Sequence, residues 1–299
     1  MNHDGGTNAL LPVEVVATWP KGSFAESVSV DADGFVFVSL HTDQQVVRVD
    51  PATGAVTPFA RFDRPATGLA FARDGALIVS GGAPGTAPGV VWRVERDGNV
   101  RQLAEIADAA FLNGMTPLGE RMLIADSINA TLYAIDPVSG AVQPWLRHPL
   151  LGVGEGQDGP GANGVKLFGG FAIVSVTGAD RLVRIPVDDG RPGTPEILAE
   201  RLRADDFAVG ADGALYIATH PAKSLLRLDP NGKRTTLAGA EEGMLGATAV
   251  AFGRRADDRH CVYVTTTGGT WTVPEAQMEE AKLLRVDVGQ PGHALLEAG

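Results

Sequence analysis

The sequence predicts an all-β protein: a six-bladed β-propeller with four antiparallel strands per blade. Three observations predict it. A strand that closes on Asp/Pro/Gly turn chemistry recurs six times, in "VVRVDPATG" (46–54), "VWRVERDG" (91–98), "LYAIDPVSG" (132–140), "LVRIPVDDG" (182–190), "LLRLDPNG" (225–232) and "LLRVDVG" (283–289). A continuous apolar run precedes each one ("FVFVSL", "ALIVSG", "MLIADS", "AIVSVT", "ALYIAT", "CVYVTT"), as expected for strands buried on both faces. No amphipathic helix of useful length competes, apart from a short insertion, "PEAQMEEAK" (274–282). A repeat of about 40–50 residues built from such strands is the mark of propeller blades.

The remaining elements follow in order. A short strand opens each unit, as in "ESVSVDADG" (26–34), "TGLAFARDG" (67–75) and "DDFAVGADG" (205–213). A fourth follows the hairpin, as in "AVTPFARF" (55–62) and "KRTTLAG" (233–239). The sixth unit lacks a fourth strand of its own, and "VEVVATW" (13–19), ahead of the first unit, has the character of one. Pairing it with the last blade closes the ring and removes an open edge. Residues 1–12 then form an N-terminal tail and residues 13–299 a single domain.

Composition narrows the function classes. The 299 residues are 44% hydrophobic and 20% charged, ordinary for a globular protein. A net charge of −11 argues against nucleic acid or an anionic membrane as partner and is compatible with holding a cation. The single cysteine, Cys261, excludes an internal disulfide and a cysteine-based zinc site, and its apolar surroundings predict a buried, inert thiol. No secretory signal and no membrane-spanning stretch is visible, so a cytoplasmic location is expected. The partner expected is a small-molecule substrate, and oligomeric state is open.

Aligning the six units on their second strands singles out one position, nine residues before that strand in the first five. It holds Glu26, Thr67, Asn113, Asn163, Asp205 and Thr248, each preceded by Ala or Leu. The first strand of a propeller blade lines the central channel, so these six residues are expected to form a ring facing the axis. Thr, Asn and Asp also cap turns, but Glu26 does not fit that explanation. Two carboxylates and two carboxamides offer only oxygen donors, the set preferred by a hard divalent cation, Ca²⁺ first and Mg²⁺, Mn²⁺ or Zn²⁺ after it. Zinc or copper would call for imidazole or thiolate, which places Zn²⁺ behind Ca²⁺ here.

In this order the residues resemble the senescence marker protein-30/gluconolactonase family and its relatives, the paraoxonases and diisopropyl-fluorophosphatases. The resemblance spans essentially the whole chain. It implies that Glu26, Asn163 and Asp205 bind the metal directly, with Asn113 beside the ion and the substrate. Sugar-lactone hydrolases carry an Arg two residues before the blade-three Asn, where this chain has Phe111. With Phe24, Met115 and Phe207 nearby, the mouth reads as apolar. Asp206, next to Asp205, is a second carboxylate that joins the substrate site in the paraoxonase-like pattern.

Loops between second and third strands open on the same rim and supply His41, Asp126, Asp180, His220, Lys223 and Trp271. His41 and His220 stand at equivalent places and are candidates for proton transfer, Asp205 for delivering the attack, and Trp271 for contacting substrate. The expected activity is metal-assisted hydrolysis of a lactone or ester, with the ion polarising the carbonyl. The alternatives are phosphotriester hydrolysis or a biosynthetic ring-forming or ring-opening step on the same ion, or a non-catalytic propeller with a structural Ca²⁺. The loop 152–160, ahead of Asn163, is a candidate lid.

Overall fold

Turn chemistry sets the blade geometry. The Asp136 carboxylate accepts the backbone N–H groups of Val138 (2.9 Å) and Ser139 (2.8 Å), closing the hairpin between two strands of blade three. Gly140 completes this turn with φ 77, a left-handed conformation that costs glycine little. Asp50 and Asp229 make equivalent turns in blades one and five.

The computed structural model describes residues 9–293. In it these hairpins build six antiparallel sheets. Blade one runs through Ala25–Val30, Val36–Leu40, Gln45–Asp50 and Ala55–Arg61. The innermost strands of blades two to six are Ala66–Phe71, Leu112–Leu118, Ala162–Phe168, Phe207–Val209 and Ala247–Phe252. Each packs against the next, and the last packs against the first, so the sheets close around an axis. The predicted closure is present: Val13–Trp19 pairs antiparallel with Ala281–Asp287 as the outer strand of blade six.

Burial falls from the axis outward. The second strands of blades one, two and five are buried throughout, whereas the outer strand Ala55–Arg61 is mostly exposed. The core is six apolar clusters, one in each gap between neighbouring blades. The cluster holding Trp19, Tyr263 and Leu283 beside Val28, Val38 and Leu40 joins blade six to blade one. Full burial of a large apolar side chain contributes about 1.5–3 kcal/mol, so these seams hold the blades together.

Three details differ from expectation. Residues 274–282 form only one 3-10 turn, Glu275–Gln277, before the next strand. Blade four gains a two-residue strand, Arg191–Pro192, between its third and fourth strands. Cys261 is half-buried at the start of a strand, although burial still pushes its thiol pKa up. No helix among the described residues is long and apolar enough to cross a membrane.

Candidate metal centre

The ring residues occupy a repeated irregularity. In five blades the pairing of first and second strands shifts register across this position, between Ala25 and Val28, Ala66 and Leu69, Leu112 and Met115, Ala162 and Val165, and Ala247 and Val250. Such a bulge bends the strand and re-aims its side chains. In blade five the regular strand begins only at Phe207, while Asp205 N and Asp206 O still bond to Ala218.

A second repeated device links the bulges around the axis. Ser39 Oγ accepts the Ser27 N–H and donates to Thr67 O of the next blade at 2.7 Å. Ser80 does the same between Gly68 N and Asn113 O, and Ser175 between Gly164 N and Asp205 O. These hydroxyls lie in the runs "FVFVSL", "ALIVSG" and "AIVSVT", where only their apolar neighbours drew notice. Each satisfies a backbone N–H that the bulge removes from the ladder.

Four of the six ring residues, Glu26, Asn113, Asn163 and Asp205, line one cavity of about 650 Å³. The two threonines do not. Thr248 Oγ1 turns into the blade seam, 2.7 Å from Ala25 O, and Thr67 is fully buried with an unpartnered hydroxyl. The axial ring of six therefore reduces to four, all with planar oxygen-bearing groups.

The carboxamides are oriented by hydroxyls one strand away. Thr177 Oγ1 donates its only proton to Ala204 O (2.7 Å), so it can only accept from Asn163 Nδ2 (3.1 Å). Asn163 Nδ2 also donates to Asp205 Oδ1 at 2.6 Å. Ser127 is equivalent: it donates to Ala162 O (2.7 Å) and receives Asn113 Nδ2 (3.4 Å). With both amide nitrogens donating to neighbouring oxygens, the carbonyl oxygens of Asn113 and Asn163 have no donor among the described residues. Ser127 and Thr177 were not among the expected site residues; their only signal in the sequence is a shared place just after the second strand.

Electrostatics at the floor are unfavourable for a bare protein. Burial, then the nearby Asp206 charge, push Glu26 up to about 7. Burial also raises Asp205 well above the usual carboxylate range, with Glu26 and Asp206 adding to it and Asn163 opposing. The Glu26 carboxylate has no hydrogen-bond or ion-pair partner among the described residues. No three His, Cys, Asp or Glu side chains there form a ready metal cluster. A cation would instead be held by the mixed set of Glu26, Asp205 and the two carboxamides. That donor set fits a hard divalent ion: all oxygen, two negative charges, and two amide carbonyls with no other partner.

The rim carries the two histidines. His41 is buried, and its Nδ1 lies 3.1 Å from Ala66 O, which makes Nδ1 the protonated nitrogen and leaves Nε2 with a free lone pair. His220 Nε2 lies 3.3 Å from Thr267 Oγ1, and its Nδ1 is 4.0 Å from Asp205 Oδ2. Burial lowers both pKa values, that of His220 to about 4, so both rings are neutral at pH 7. Phe24 packs between them, with ring centroids 5.8 Å from each and 4.5 Å from Trp271. Phe111, Ile128 and Pro221 complete an apolar wall, and Trp271 stands 70% exposed over the mouth.

Other expectations need correction. Met115 and Asp206 do not line this cavity; both face a second one at the opposite end of the channel. The bulge breaks the two-residue alternation of the strand, so Met115 is not carried to the Asn113 mouth. Asp206 is drawn down by Lys166, its partner at 2.6 Å. Phe207 is fully buried in the seam between blades four and five. Asp126 is wholly buried and caps the loop behind Phe111 by accepting four backbone N–H groups, those of Ala110, Phe111, Ile128 and Asn129. From the loop 152–160, Gly159 and Pro160 reach the cavity. Arg203, a cavity residue that the sequence analysis did not single out, holds that loop through Asp158 O at 2.7 Å.

The fold and this site define a six-bladed β-propeller with an oxygen-lined axial cavity. Among solved structures, the chain is similar to a luciferin-regenerating enzyme (13% identity, TM-score 0.74, covering 94% of this chain and 97% of that one). It is similar to a calcium-binding protein, regucalcin, from Agrobacterium tumefaciens (17% identity, TM-score 0.68, 94% and 97% covered). It also resembles a protein designated a gluconolactonase (14% identity, TM-score 0.70, 95% and 94% covered). At these identities the likeness is one of fold. No protein-family model matches the chain. No curated protein matches it in sequence.

Proposed function

We propose that the protein is a divalent-cation-dependent hydrolase acting on a small, rather apolar lactone or ester. The observation that carries this reading is the convergence of Glu26, Asn113, Asn163 and Asp205 on the floor of a cavity with aromatic walls and two neutral histidines. Glu26, Asn163 and Asp205 would hold the ion, with Asn113 beside it, and Ca²⁺ suits this set best. When bound, the ion supplies Lewis-acid polarisation of a carbonyl and stabilises the oxyanion that develops there.

The chain's own groups supply the rest. His41 Nε2, unprotonated because Nδ1 is turned to Ala66 O, takes a proton from water as the water oxygen bonds to the acyl carbon. The acyl C–O bond then breaks, and the departing alkoxide oxygen takes that proton back from His41. Asp205 orients the water, and His220 beside it offers a second neutral imidazole. Phe24, Phe111 and Trp271 bury the apolar part of the substrate and exclude bulk water. The likeness to a protein designated a gluconolactonase and to a calcium-binding protein, regucalcin, supports the reading at the level of scaffold only.

Elemental analysis paired with a panel of lactones, aryl esters and phosphotriesters tests it. The expected result is one divalent ion per chain and turnover of apolar lactones that chelator and Asp205→Ala each reduce at least a hundredfold. Full turnover by metal-stripped protein overturns the reading. So does an ion that raises Tm without turnover of any panel member, which would leave a binding propeller.

A further inference from the structure

Below the candidate metal centre, Lys166 enters the channel from the blade-four strand that also carries Asn163. Its Nζ lies 2.6 Å from Asp206 Oδ1, and both side chains are almost out of contact with water, at 9% and 12% exposure. Gly164 makes room for this pair: a Cβ there would lie 2.8 Å from Asp206 Cα and collide with its carboxylate. Asp206 Oδ1 also receives the Phe207 N–H at 2.8 Å, which fixes its direction. Lys166 Nζ has one further neighbour of note, the Phe207 ring at 5.4 Å.

The channel therefore contains three mutually interacting carboxylates, Glu26, Asp205 and Asp206, and one buried ammonium. Lys166 cancels the charge of Asp206 and leaves the carboxyls of Glu26 and Asp205 to face an ion, while Arg254, Arg259 and His293 line the lower cavity and Arg203 the upper one. A buried charge is tolerated only when paired, and Asp206 has its partner from the chain itself.

We propose that Lys166 is the resident counter-ion of the channel: by neutralising Asp206 it keeps the axis a one-dication site and sets how tightly that ion is held. This rests on the metal reading above and extends it to a residue that touches neither ion nor substrate. Charges several ångströms apart in a protein interior interact appreciably, and the interaction doubles against a dication. Changing the Lys166–Asp206 balance by one charge should therefore move ion affinity by about tenfold or more in a direction set by sign.

Calorimetric titration of chelator-stripped protein with Ca²⁺, with unfolding curves to establish that each variant is folded, tests this. Asp206→Asn leaves an unpaired ammonium and should weaken binding at least tenfold. Lys166→Met leaves an extra carboxylate and should tighten binding at least tenfold or admit a second ion, while Lys166→Arg and the double variant Lys166→Met/Asp206→Asn should stay near wild type. Should Lys166→Met fail to fold, Asp206→Asn and the double variant decide. A wild type that binds one ion and is unchanged by Asp206→Asn overturns the role of Lys166 alone. A wild type that binds no divalent ion overturns the metal reading and this inference together.

Discussion

Glu26 carries a carboxyl that burial and Asp206 push up to about 7 from an ordinary 4.5, which makes its protonation a pH-dependent part of stability. The folded protein binds more protons than the unfolded chain between those values, so this group's contribution falls as pH rises from 4.5 through 7. His220 works in the opposite sense. Its folded value of about 4 lies below 6.5, so stability is lost as pH falls through that window. Comparing wild type with Glu26→Gln in chelator cancels the histidine. Between pH 5 and pH 8 wild type should lose about 2–3 kcal/mol relative to the variant, a difference that belongs to the coupled Glu26–Asp205 pair and is read from denaturant midpoints. An unchanged difference would mean that Glu26 meets bulk water. At this scale the sequence exposed the repeat position itself, because E, N, N and D recur in register with the strands. It did not expose Lys166, Ser127 or Thr177, whose roles depend on contacts between blades. Met115 was misassigned because a bulge ends the parity by which strand residues are counted, and Asp206 because the resemblance that placed it in the site carries no sign of its partner Lys166.

The inner strand with its bulge is the element that turns a sheet edge into a site. In blade four, Ala162 pairs with Val176 and Val165 with Val174, leaving Asn163 and Gly164 in the irregularity. Gly164 is needed there for space and not for backbone dihedral, since it lies against Asp206 and the Ser175 bridge. Gly164→Ala should cost about 2–3 kcal/mol by overpacking and should displace Asp206 from Lys166. Gly119→Ala supplies a control for adding a methyl without a clash, its Cβ meeting nothing within 4 Å, although its φ of 59 adds modest strain. Equal destabilisation of the two variants, measured by thermal unfolding, would remove packing at Gly164 from the account. Second and third strands were legible because apolar runs and Asp/Gly turns carry their signal locally. The innermost strand of blade five was less so: "DDFAVGADG" yields only Phe207–Val209 as regular strand, because Asp205 and Asp206 spend their backbone groups on Ala218, Gly164 and Thr248.

For the whole molecule, closure turns six marginal sheets into one cooperative unit, and that closure rests on one strand from the other end of the chain. Val13–Trp19 contributes Trp19 and Ala17 to the seam between blades six and one, and Glu14 pairs with Arg285 at 2.6 Å. Glu14 and Arg285 are partly exposed, so the ion pair adds little; the apolar burial and the ladder hold the strand. Its removal would bare the edge of Ala281–Asp287, an apolar strand with unpaired backbone groups, and such an edge recruits other chains. Deletion of residues 1–19 should therefore yield protein that associates at micromolar concentration and loses the single sharp unfolding transition of the intact ring. Because blade one supplies Glu26, opening this seam should also loosen the floor of the axial cavity before blades three to five melt. Size-exclusion chromatography and calorimetry with and without added Ca²⁺ read both effects. A truncated chain that stays monomeric, melts in one transition and keeps the ion-induced rise in Tm would show that the inner strands alone close the ring.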